Sequence, residues 1–252
     1  MKGEFIVIQK KLLITLILCL LLSSASFLQA AEPFNLRHYG NFKKMEHMKK
    51  VDGVVDLDTA LAGPHVYAVG AIKGGKGEIT VIDSEIWLAY GKDGLGRTQR
   101  RIPEGEQAAL LVTAEARNWK KFVVPKKMSE SGLYDFILDQ AERYGLNTKK
   151  PFPFLIEGPL QDVRWHVING PNPEFSGHFK GHGGKPSFIQ LKEHIEQTSG
   201  VIIGFYSANV QGVFTHPGES WHLHILIRDK EKAGHVDEVV VGKGAVLKLP
   251  EI

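Results

Sequence analysis

The stretch Trp221-His222-Leu223-His224-Ile225-Leu226-Ile227, rich in apolar and β-branched residues, leaves the chain little choice but a β-strand. Residues i and i+2 of a strand project from one face, so His222 and His224 point into one space while Leu223, Ile225 and Ile227 take the other side. Arg228 to Gly234 reads as a charged turn, and a hairpin folding about Asp229 or Lys230 brings His235 level with His224. Three imidazoles then meet across a two-stranded ribbon. Neutral imidazole suits zinc, copper, nickel or iron, and three histidines leave at least one coordination position open for water or substrate. One histidine alone is ordinarily structural; two on one strand face with a third at hairpin distance point to a metal site.

The other possible ligand types narrow the choice. Cys19 is the only cysteine, and it lies inside the apolar run Leu12 to Leu22, which follows Lys2, Lys10 and Lys11 and precedes Ser23, Ser24, Ala25 and Ser26. That order is the layout of a secretory signal peptide, with a cleavage site expected near Ala30 in Leu28-Gln29-Ala30. Counting on to Ala31 gives about twenty mostly apolar residues, the length of a spanning helix, so an uncleaved anchor is the alternative. If residues 1–30 are removed, the exported chain, periplasmic or secreted, has no stable membrane span and no thiol, and its metal ligands must be His, Asp or Glu. The formal charge of +3 falls by two, to about +1, on loss of three lysines and Glu4. Such a balance offers no electrostatic footprint for nucleic acid and favours a small-molecule partner.

Residues 31–50 are polar and mixed in charge, which predicts a loose N-terminal arm or short helix before one packed domain over 51–252. His65 to Lys73 and Glu78 to Tyr90 read as strands, the second bent at Asp83-Ser84. Gly74-Gly75-Lys76-Gly77 between them reads as a tight turn, since it lacks the spacing and the Lys-Ser/Thr ending of a phosphate loop. A polar loop over Gly91 to Gly105 precedes a strand at Ala108 to Ala114. Ser129 caps a helix in which Leu133, Phe136, Ile137, Ala141 and Tyr144 recur at helical spacing before Gly145. Pro151 to Gly158 and Asp162 to Ile168 read as two strands reversing at Glu157-Gly158-Pro159, followed by a long loop over Gly170 to Gly184. Phe188, Leu191 and Ile195 predict a short amphipathic helix over Ser187 to Gln197, and Val201 to Tyr206 and His235 to Val241 are strands. The fold class is therefore mixed α/β and sheet-rich: two interlocked, mainly antiparallel β-sheet layers with a few helices. His178 and His182 fall in a Gly-rich loop, and His38, His47, His65, His194 and His216 have no partner spacing and read as structural.

Gly204-Phe205-Tyr206, Gly212, Trp221-His222-Leu223-His224-Ile225, Asp229 and Ala233-Gly234-His235-Val236 together resemble the C-terminal metal region of α-acetolactate decarboxylases. Tyr67-Ala68-Val69-Gly70-Ala71 with Gly77-Glu78-Ile79-Thr80-Val81-Ile82-Asp83 is similar to that family's strand pair, and Pro153-Phe154-Leu155-Ile156-Glu157-Gly158 to the strand before its active-site arginine. The likeness runs from about Val51 to Gly244. It implies a mixed α/β fold of two sheets, commonly a homodimer, with zinc on His222, His224 and His235, and release of carbon dioxide from 2-acetolactate to give acetoin. It also implies that Glu78 is the acidic active-site residue, a proton donor or relay. Three departures accompany the likeness. His166 stands where the family has its arginine, as a substrate-binding candidate, with Arg164 two residues earlier on the same strand face as a possible carboxylate-orienting substitute. Ala71 stands where the family usually has Thr, and Glu251 is the sole counterpart of a C-terminal glutamate.

The expected function is metal-dependent decarboxylation of 2-acetolactate, a carboxy-lyase reaction. The alternatives are an exported relative acting on another β-keto acid, and a non-catalytic metal or small-ligand binding protein of the same fold.

Overall fold

The computed structural model describes residues 34–95, 97–175 and 186–252. The segment expected to be a secretory leader lies outside them, as do His178 and His182. Among the described residues, no helix is long and apolar enough to cross a membrane.

Thirteen strands are distributed over two sheets among the described residues. The first sheet contains β1 (Asn35–Tyr39), β2 (Val55–Asp56), β3 (Val66–Ile72), β4 (Gly77–Ile82), β5 (Glu85–Tyr90), β6 (Thr98–Gln99) and β7 (Gln107–Glu115). Its order is β1-β7-β3-β4-β5-β6, with β2 on β7, and its pairings are antiparallel. The second contains β8 (Trp119–Val123), β9 (Phe152–Pro171), β10 (Phe188–Tyr206), β11 (Trp221–Ile227), β12 (Lys232–Val241) and β13 (Val246–Pro250). Here β9 pairs with β10, β10 with β11, β11 with β12 and β12 again with β9, so these four strands close a ring that β13 and β8 extend. The mixed, sheet-rich fold read from the sequence is the one observed.

Side-chain alternation explains how the layers hold together. On β3, Tyr67 and Val69 face a core shared with Phe154, Trp165 and Ile225 of the second sheet, whereas Val66, Ala68 and Ile72 face a separate cluster around Leu57 and Leu61. All seven residues of β3 are buried, as an apolar strand covered on both faces must be. The helix α3 (Glu130–Tyr144) follows α1 (Phe42–Met48) and α2 (Leu57–Ala60) in the chain. It packs Leu133, Ile137 and Ala141 into the shared core and ends at Gly145 in the left-handed conformation, as the periodicity predicts. Asp83 and Ser84 both take positive φ, the requirement of a two-residue hairpin turn, so the expected bend is a full reversal between β4 and β5.

Three expectations need correction. Glu157-Gly158-Pro159 does not reverse the chain; it lies inside the 20-residue β9. On one edge of β9, residues 155–157 pair with β13 and residues from Leu160 onward pair with β12, so the Gly-Pro signal marks the handover between two partner strands. Gly158 sits there at φ 134°, with a Cβ position only 3.0 Å from the Ala245 Cα. Ser187 to Gln197 is not a helix but the first half of β10, paired residue by residue with β9. A separation of four residues, as between Leu191 and Ile195, satisfies both strand and helix periodicity, and the long-range pairing decides. Finally, the packed domain does not begin near Val51. Phe34 is buried, β1 pairs along β7, and α1 is docked on the body of the protein.

Candidate active site

The register of the second sheet lines up the imidazoles. His224 on β11 lies opposite His235 on β12, and His235 lies opposite His166 on β9, giving a row across three strands with His222 two residues along on the same face. The hairpin turns through Arg228–Lys230, as the sequence reading expects. Close approach of β12 to β9 at this level requires Gly234, because a Cβ there would lie 2.6 Å from the His166 carbonyl oxygen and 2.7 Å from the Trp165 ring.

His222, His224 and His235 bring one ligand atom each to within 4.8 Å of one another. Ring centroids are 5.1 Å apart for His222 and His224, 5.1 Å for His222 and His235, and 5.5 Å for His224 and His235. Nδ1 of His222 and Nε2 of His224 are buried with no hydrogen-bond partner. An orphaned buried ring nitrogen is costly unless something occupies it. The opposite nitrogen of His224, Nδ1, is 2.9 Å from Oγ1 of the fully buried Thr80, and His222 makes a backbone hydrogen bond to Phe214. Such anchoring selects the tautomer that leaves a lone pair facing the cluster. Burial first, then the neighbouring imidazoles, pushes the His222 pKa down to about 3 and those of His224 and His235 well below the ordinary value. The rings are therefore neutral, the form that binds a metal. A divalent cation fits this donor set.

Glu78 on β4 is buried beside the cluster, with Oε2 3.7 Å from Nε2 of His224 and Oε1 accepting from the Ile168 N–H at 3.2 Å. Burial raises its pKa to about 8; the Ile168 N–H opposes the shift and the charge of Asp237 adds to it. His166 is also buried, its ring centroid 4.9 Å from that of His235. Its Nδ1 donates to Asp237 at 2.7 Å, and its Nε2 lies 3.4 Å from the Gln190 amide. Asp237 occupies a bulge between Val236 and Glu238, where β12 loses register with β9 and turns a side chain back toward the site.

His222, His235, Glu78, His166 and Gln190 line a cavity with about 570 Å³ of empty space, part of it continuous with solvent, and His224 is fully buried outside that lining. Phe42, Met45, Leu110, Ile168 and Phe188 form its apolar wall, and Ala71 stands beside Glu78 in it without a hydroxyl. No lysine or arginine is among the described residues that line it. Of the residues singled out in the sequence, the structure brings His222, His224, His235, Glu78 and His166 together and leaves two apart. Arg164, 55% exposed, pairs with Glu238 at 3.1 Å outside the cavity lining, because Glu238 resumes register opposite it just past the bulge. Glu251 is exposed at the end of the chain, where its N–H donates to the Asn118 carbonyl. Two further lining residues are Glu46 of α1, for which the sequence offers no signal, and His216, which its lack of partner spacing marks as structural; neither belongs to a periodic or motif-like pattern. Burial opposes protonation of His216, but the hydrogen bond and charge of Glu46, with Glu219 and Asp237, outweigh it and raise its pKa.

Fold and site together define a two-sheet α/β protein in which a three-histidine cluster able to hold a metal ion borders a cavity. The family model for alpha-acetolactate decarboxylase matches residues 66–249, and the chain belongs to that decarboxylase family. The fold is similar to that of alpha-acetolactate decarboxylase from Bacillus subtilis strain 168, with 14% identity, a TM-score of 0.68 and 86% of each chain covered. It is likewise similar to a Staphylococcus aureus protein described as of unknown function and similar to alpha-acetolactate decarboxylase, at 15% identity and a TM-score of 0.64, covering 86% of this chain and 85% of that one. No curated protein matched the sequence.

Proposed function

We propose that the protein is an exported, metal-dependent carboxy-lyase that converts 2-acetolactate to acetoin and carbon dioxide. The observation that carries this reading is the set of three neutral imidazoles, two with unpartnered buried nitrogens, beside a buried carboxyl at the wall of one cavity. His222, His224 and His235 would hold the cation, zinc being the choice that the family likeness favours. When bound, such an ion supplies a Lewis acid that polarises the ketone of a 2-hydroxy-3-oxo acid.

Loss of carbon dioxide breaks the bond between the carboxyl carbon and C2 and leaves its electron pair on the remaining fragment, which then needs one proton. Glu78 is the group disposed to deliver it, being buried at the cavity wall and fixed through the Ile168 N–H with its other oxygen toward His224. His166, fixed by Asp237 and Gln190, forms the wall beside His235 against which the substrate lies. Arg164 and Glu251 have no part in this reading. Export is inferred from the Lys-rich start, apolar run and Ser-rich end of residues 1–30.

The test is acetoin release from racemic acetolactate by zinc-loaded protein. Turnover abolished by a chelator, and reduced at least about a hundredfold in Glu78→Gln at unchanged metal content, is the expected result. Absence of acetoin from fully metallated protein would end the proposal.

A further inference from the structure

The cavity carries a second polar pair, away from the histidine row. Glu46 on α1 is buried, and its Oε1 lies 3.5 Å from Nδ1 of His216, a residue of the segment between β10 and β11. The His216 ring packs on Phe42 with centroids 4.1 Å apart and lies 6.3 Å from the His235 ring. Segment and helix are tied together, since the Phe42 and Lys43 N–H groups donate to the carbonyls of Val213 at 2.6 Å and Gly212 at 3.0 Å. Thr215 braces the same segment by donating from Oγ1 to the Glu219 carbonyl at 2.8 Å. Both partners of the pair are therefore held in place. α1 precedes residue 66, where the match to the family begins.

A carboxylate beside Nδ1 makes that nitrogen the N–H, in the neutral ring and the protonated one alike, and leaves Nε2 to meet a ligand. A buried carboxylate is expensive to keep in so apolar a wall, which gives weight to its pairing. The other imidazole outside the metal cluster, His166, has one nitrogen on Asp237 and the other beside Gln190. His216 Nε2 is the ring nitrogen that Glu46 leaves for a ligand, and a hydroxyl, being both donor and acceptor, pairs with it in either protonation state.

We propose that Glu46 and His216 read a substrate hydroxyl: Nε2 of His216 hydrogen-bonds to it, and Glu46 is the positioning residue that orients the ring. The pair then selects 2-hydroxy-3-oxo acids over β-keto acids that lack the hydroxyl. This rests on the reading of the cavity as a substrate site. The test compares two stable probes, acetoin and its analogue without the hydroxyl, butanone, binding to cobalt(II)-loaded protein followed by its visible spectrum. In His216→Ala the affinity for acetoin falls about tenfold, the worth of one well-formed hydrogen bond, while that for butanone stays within about twofold. Any direct hold of the metal on the hydroxyl is common to wild type and variant and cancels in the comparison. His216→Phe keeps the packing on Phe42 and should give the same loss. Glu46→Ala should follow His216→Ala, and Glu46→Gln, whose amide oxygen still accepts Nδ1–H, should keep most of the preference. Acetoin and butanone weakening together, or neither weakening, overturns the proposal. Wild-type protein that prefers acetoin but forms none from acetolactate would end the decarboxylase reading and uphold this one. A wild type without the preference, yet active, would do the reverse.

Discussion

His224 is held by Thr80 at Nδ1 and by a backbone hydrogen bond to Ile79, while its Nε2 meets no protein group, and much of the site's chemistry follows from that asymmetry. Thr80→Val keeps the shape and removes one of the two groups that fix the ring, the backbone of Ile79 being the other. Zinc affinity, measured by competition with a chromophoric chelator, should fall about 10–100-fold. The buried titratable groups also set how the metal-free chain responds to pH. Below 6.5 the unfolded chain protonates histidines that the folded chain keeps neutral, so stability falls with pH, down to about 3 for His222. Glu78 acts oppositely. Its pKa rises from 4.5 to about 8 on folding, so the native state binds more protons in that window and stability is lost as pH rises through it. His216, also raised, adds to that alkaline loss. Between 4.5 and 6.5 three histidines outweigh one carboxyl, which places the stability maximum of chelator-treated protein near pH 6.5. Thermal melts from pH 4 to 9 should show it, with the alkaline limb flattened in Glu78→Gln; an unchanged limb would contradict the assignment.

At the scale of elements, the β11–β12 hairpin was legible because its signal is local: same-face histidines, a charged turn and a third histidine at the matching register. The strands β9 and β10 were not legible, because their length is fixed by partners remote in sequence. Gly158-Pro159 resembles a turn until β13 and β12 are seen meeting there, and Leu191 and Ile195 fit either periodicity until β9 supplies the pairing. The same non-local logic hid the bulge at Asp237, which anchors His166 and sets Glu238 opposite Arg164, apart from the cavity. Gly234 is where the hairpin and β9 depend on each other most. Gly234→Ala forces a methyl against the His166 carbonyl and the Trp165 ring, at a cost of about 1–3 kcal/mol of stability by denaturant titration. It should also weaken zinc binding, since His235 follows directly. A variant as stable and as zinc-competent as wild type would contradict that packing.

Across the whole molecule, the two sheets bring groups from far apart in the chain to one site: Glu46 and Glu78 from the N-terminal half, His166 from β9, and the triad from the C-terminal hairpin. The sequence made the triad and Glu78 findable, the second through family likeness. It could not place α1 over the cavity, because the docking of Phe42 and Lys43 on residues 212–213 spans some 170 residues of chain. The central claim, that the triad holds the ion on which decarboxylation depends, is tested most directly by titrating metal-free protein with zinc while following acetoin release from acetolactate. The expected rate rises linearly and breaks at about one equivalent per chain, as a single three-histidine site requires. A rate that is already maximal without metal, or that stays at zero beyond saturation, would contradict it.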